Sequence, residues 1–153
     1  MILVIGYGNV LRGDDGVGQQ AALAVESWKL PNVQVRAVHQ LLPELAEPLS
    51  HADLAIFVDA AQAFADADRS PGRVYEAALD PADARPPASV MAHTSSPESL
   101  LAMAEQLYGA RPRAVMLSIP VERFEFGEAL SPEALRGLAA VLRRIRALID
   151  SDR

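Results

Sequence analysis

Two hydrophobic periods alternate along this chain. Met1 to Gly6 is a short, wholly apolar run, the pattern of a strand covered on both faces. Tyr7 to Asp14 is a loop rich in Gly, Asn and Asp, and a helix is expected from about Asp15 to Trp28. Pro31-Asn32 marks a turn, and Val33, Val35 and Val38 mark a second strand. Pro43 to Leu49 reads as a short helix with Leu45 and Leu49 on one side. Leu54 to Val58 is a third buried strand, ending at Asp59.

The pattern weakens between Ala60 and Met91. Ser70-Pro71-Gly72 signals a turn, Arg73 to Ala77 fits a strand, and Pro81, Pro86 and Pro87 argue for a loop over Asp80 to Ala88. Ser96-Pro97-Glu98 carries a helix start: serine caps, proline suits the first turn, and glutamate favours the positive end of the dipole. That helix should end near Gly109. Ala114 to Ile119 is another apolar strand. Ser131-Pro132-Glu133 repeats the start signal for a last helix to about Ile149, with Leu135, Leu138, Val141, Leu142, Ile145 and Ile149 at helical spacing.

Strands alternating with helices predict an α/β fold: a single domain over residues 1–153, with a mostly parallel twisted sheet sandwiched between helices. The length of 153 residues suits one core, and a hydrophobic share of 50% is ample to fill it. In open sheets of this kind, sites form in the loops at the C-terminal strand ends. That rule selects the segments after Ile5 and after Val58, and both carry acidic residues.

Composition narrows the chemistry. The formal net charge is -6, and the densest basic stretch, Arg143, Arg144 and Arg146, lies on a helix whose solvated face it would form. No nucleic-acid partner is expected. The chain has no cysteine, which excludes disulfides, a thiol nucleophile and thiolate metal sites. No apolar run approaches the ~20 residues of a membrane helix. The first residues show no basic leader or small-residue cleavage site, so a cytoplasmic protein without membrane insertion is expected.

The segment Gly6-Tyr7-Gly8-Asn9-Val10-Leu11-Arg12-Gly13-Asp14-Asp15-Gly16-Val17-Gly18 is the first candidate for chemistry. Its glycines permit tight turns and close backbone approach, and Asp14 and Asp15 open a helix. A dinucleotide fingerprint is rejected. Its third glycine would fall at Leu11, no acid follows the second strand for a ribose, and an aspartate pair would face a pyrophosphate. Asp59 is the second candidate. His93, in the loop before Ser96-Pro97-Glu98, is the third. Imidazole with two carboxylates is a nitrogen–oxygen set suited to a divalent transition metal, nickel included. His51 is expected to be exposed, and His39 to line the same edge as the first loop. No G-x-S-x-G elbow and no H-E-x-x-H helix occurs.

The stretch from Gly6 to Gly18 resembles the N-terminal signature of hydrogenase maturation proteases. Asp59 and His93 resemble that family's other two metal-contacting positions, and Phe126-Gly127-Glu128-Ala129-Leu130-Ser131 resembles a further family feature. The resemblance implies an endopeptidase that removes the C-terminal extension from the precursor of a [NiFe]-hydrogenase large subunit after nickel insertion. It implies nickel supplied by the substrate and touched by Asp15, Asp59 and His93, with those three residues carrying catalysis and no organic cofactor. Asn9, Asp14, His39 and Gln40 are then expected to contact substrate. Aspartate at position 15 replaces the glutamate of many members, and His39-Gln40-Leu41-Leu42-Pro43-Glu44 replaces their Asp-Gly-rich segment. A non-catalytic assembly factor that binds the nickel-loaded precursor is the alternative. Whether the metal acts on the scissile carbonyl or only docks the substrate stays open at this point.

Overall fold

A computed structural model describes residues 1–62, 73–84, 95–121 and 129–152. Five strands form one sheet: β1 (Ile2–Tyr7), β2 (Val33–Val38), β3 (Leu54–Gln62), β4 (Tyr75–Ala78) and β5 (Arg113–Val121). Their order is β2-β1-β3-β5-β4, parallel throughout except for β4, which runs antiparallel to β5. Four helices accompany them: α1 (Val17–Ser27), α2 (Ala46–Ser50), α3 (Pro97–Tyr108) and α4 (Pro132–Ser151). The architecture is the expected mostly parallel α/β sandwich. No helix among the described residues is long and apolar enough to cross a membrane.

Alternate residues along the strands serve opposite faces. Ile2, Val4, Ile56, Val58, Leu117 and Ile119 pack with Val17, Ala21 and Val25 of α1 and Val141, Ile145 and Ile149 of α4. Leu3, Ile5 and Phe57 pack on the other face with Leu45, Leu49, Leu100 and Leu101, from the α2 region and α3. This period of two within continuous apolar runs is why β1 and β3 carry no polar face.

The helix starts act through the serines. Ser96 Oγ accepts from the Ser99 N–H, and the Ser99 side chain accepts from Ser96 N–H in return, a reciprocal cap. Ser131 Oγ accepts from the Ala134 N–H to start α4. Gly109 ends α3 at φ +67, a left-handed position that suits glycine. Leu135 departs from the expected core stripe: it is 52% exposed, on the flank of α4 turned from the sheet. The basic stretch is solvated as expected. Arg144 pairs with Glu76, and Arg146 lies over the Trp28 ring.

Candidate functional site

Helix placement locates a crevice. The β1-to-β2 connection runs through α1 on one face, and the β2-to-β3 connection runs through α2 on the other. The chain therefore reverses its winding between β1 and β3, the position where open α/β sheets bind ligands. Pairing of β1 with β3 stops at Gly6 and Val58. The β3–β5 ladder continues, from Asp59 with Ser118 to Gln62 with Val121. Asp59, expected to end the strand, thus lies within β3, three residues before its end at Gln62. It stands where β1 leaves the sheet and β3 goes on. Pro120 is accommodated in β5 because β4 pairing ends at Ser118, so no β4 ladder bond needs its missing N–H.

The first loop closes over this crevice. Gly13–Gly16 forms a 3-10 turn before α1, packed against β3, so the helix expected from Asp15 begins at Val17. Gly8, at φ +139, lets the turn approach: a Cβ there would lie 2.0 Å from the Asp15 carbonyl oxygen. Asn9 fixes the loop from both ends. Its side chain accepts from the Leu11 N–H at 2.9 Å, and its own N–H donates to Asp15 Oδ2 at 2.9 Å. Gln19 Nε2 donates to the Gly8 carbonyl at 2.6 Å, tying α1 to the same loop.

Asp15 and Asp59 are brought within electrostatic reach of one another. Burial is the main reason the Asp59 carboxyl rises from an ordinary 3.8 to about 7. The Ala60 N–H opposes the rise, the negative charge of Asp15 adds to it, and the Tyr7 hydroxyl, donating to Asp59, opposes it. Tyr7 is held far above its ordinary range by burial, then by the charge of Asp59 and the bond to it, then by Glu98. Its hydroxyl also meets Met116 Sδ at 3.9 Å. Tyr7 and Glu98 were not singled out from the sequence. A tyrosine between the two signature glycines, at the end of a strand aimed at the crevice, was the available signal.

Asp14, expected among the substrate contacts, is fully buried. Its Oδ1 and Oδ2 accept from the Ser131 backbone N–H and hydroxyl, each at 2.7 Å. Adjacent residues of the tight turn thus point apart, Asp14 towards α4 and Asp15 towards the crevice. His39 and Gln40 are exposed at the end of β2, which lies beside β1, and the Val38 carbonyl accepts from the Gly8 N–H at 3.2 Å. Leu41 is buried, so the apolar part of that segment packs inward. His51 is exposed and contacts Glu47. His93 lies outside the described residues, as do Phe126, Gly127 and Glu128.

Among the described residues, no group of three or more His, Asp or Glu side chains could hold a metal ion. Asp15 and Asp59 form a pair, and a cation between them would relieve the repulsion that helps to raise Asp59. Oxygen donors of this kind suit a divalent ion that takes its remaining ligands elsewhere.

No family model matches the chain, and no curated protein sequence matches it significantly. Solved structures do match over nearly its whole length. The hydrogenase maturating endopeptidase HybD from E. coli superposes with a TM-score of 0.71 at 21% identity, covering 99% of this chain and 93% of that one. The [NiFe] hydrogenase maturation protease HycI from Thermococcus kodakarensis gives 0.69 at 22% identity, with coverages of 97% and 90%. The hydrogenase 2 maturation peptidase from a Thaumarchaeota archaeon gives 0.68 at 21%, with 97% of each chain covered. At these identities the likeness is one of fold, and the shared fold is that of hydrogenase maturation endopeptidases.

Proposed function

We propose that this protein is a hydrogenase maturation endopeptidase, which removes the C-terminal extension of a nickel-loaded [NiFe]-hydrogenase large-subunit precursor. One observation supports the reading. Asp15 and Asp59, two of the three positions singled out by resemblance, lie within electrostatic reach of one another at the β1/β3 crevice of a fold shared with such endopeptidases. The substrate brings the nickel. Asp15, Asp59 and His93 contact it, and the precursor fills the remaining coordination positions. A cytoplasmic location follows from that substrate.

Nickel held by these residues would supply a Lewis acid able to lower the pKa of a water beside the scissile bond. In the metal-free protein the Asp59 carboxyl is raised to about 7, so it would release its proton on meeting the ion and then hold the metal as a carboxylate. Asp15, with one oxygen held by the Asn9 N–H, is suited to a fixed role at the ion. Asn9, His39 and Gln40 line the approach for the peptide.

The test is co-purification of precursor with the protein, comparing nickel-loaded and nickel-free precursor. Wild type should bind and process only the nickel-loaded form, and Asp15→Asn combined with Asp59→Asn should bind neither. Equal retention of the nickel-free form would overturn the role given to the metal.

A further inference from the structure

We infer that Asp14 and Ser131 form a buried clasp that positions Asp15, which makes Asp14 a positioning residue rather than a substrate contact. The inference deepens the proposed reading and rests on it for the role of Asp15. Residues 14 and 131 are the two buried polar residues recorded in the described structure, at 0% and 4% exposure, and they bond to each other twice. Burial of this kind requires satisfied partners, and here each residue supplies the other with two. Ser131 Oγ donates to Asp14 while accepting from the Ala134 N–H, so one hydroxyl joins the first loop to the start of α4.

The geometry transmits that anchor to the site. A 3-10 turn advances about a third of a revolution per residue, so fixing the direction of residue 14 fixes that of residue 15. Asp15 is then received by the Asn9 N–H at its side chain and by the close approach of Gly8 at its backbone. If the clasp opens, the turn can rotate, and the bond from Asn9 to Asp15 Oδ2 is the first to report it. The sequence pair Asp14-Asp15 therefore divides its labour: one carboxyl holds the turn in the protein, and its neighbour faces the crevice.

The experiment follows the Asn9 amide by NMR hydrogen exchange, together with Ni2+ titration of the free protein. Asp14→Asn keeps one acceptor but cannot accept both bonds. Ser131→Ala keeps the backbone donor and loses the hydroxyl. Val141→Ala, on the core-facing side of α4, serves as a control for general destabilisation. In Asp14→Asn the Asn9 amide should exchange at least about tenfold faster than in the control at matched stability. Ni2+ binding should weaken about tenfold or more, as for other groups that orient a ligand. Ser131→Thr should restore both, and Ser131→Ala gives the same readouts if Asp14→Asn does not fold. Asn9 exchange and Ni2+ affinity equal to those of the control would overturn the clasp. Should wild type neither bind Ni2+ nor process a precursor, the functional reading fails, and the Asn9 amide alone decides the clasp.

Discussion

Gly18 lies against β3 where β1 leaves it: a Cβ added there would sit 2.6 Å from the Val58 carbonyl oxygen and 2.5 Å from that of Tyr7. Both neighbours are backbone, so neither can swing aside. The first turn of α1 can dock where β1 parts from β3 only because residue 18 has no side chain. Gly18→Ala should destabilise the protein by about 1–3 kcal/mol or more, read as a lower urea midpoint, because overpacking forces backbone shifts. It should also disturb the crevice directly beside Asp59. A wild-type midpoint would show that α1 docks elsewhere.

Asp59 makes stability depend on pH in a direction opposite to that of a salt-bridged carboxylate. Its folded-state value, about 7, lies above the ordinary 3.8. Between those values the native protein keeps a proton that the unfolded chain has released. The stabilisation is complete below the lower value and is lost as pH rises through the upper one. Denaturation across that window should show a falling contribution that Asp59→Asn abolishes. Metal binding runs the other way, since the ion must displace that proton. Ni2+ affinity should rise by about tenfold per pH unit below 7 and level off above it. A pH-independent affinity in wild type would contradict a metal contact at Asp59.

The His39–Glu44 segment divides between packing and exposure. Leu41 is buried, while His39, Gln40 and Glu44 are exposed. Exchanging Gln40 and Glu44 for alanine should leave the thermal midpoint within the range of surface changes, about ±0.5 kcal/mol. Precursor cleavage by that double variant should fall. Full cleavage with an unchanged midpoint would remove both side chains from substrate selection.

The central strands were legible because β1, β3 and β5 are largely apolar runs. Strand β1 needed only Ile2-Leu3-Val4-Ile5, and the serine starts of α3 and α4 act as serine caps do. Strand ends were less legible. The extension of β3 to Gln62 depends on a partner, β5, that local sequence does not reveal. Leu135 matched the helical period but missed the core, because the sheet covers only part of the circumference of α4. Motif and an expected strand end drew attention to Asp15 and Asp59, which lie within electrostatic reach of each other, although Asp59 stands inside β3 rather than at its end. The division of labour between Asp14 and Asp15 was not legible, because it depends on Ser131, 117 positions away. Tyr7 was hidden for a similar reason: its hydroxyl gains meaning only from Asp59 and Glu98.

The intact mass of a nickel-loaded large-subunit precursor, measured before and after incubation with the purified protein, tests the central claim most directly. The account expects the mass to fall by that of one C-terminal peptide with wild type, and to stay unchanged with Asp15→Asn or Asp59→Asn. A complex that forms while the precursor keeps its full mass would contradict a protease and leave the chain as an assembly factor that holds the precursor uncut.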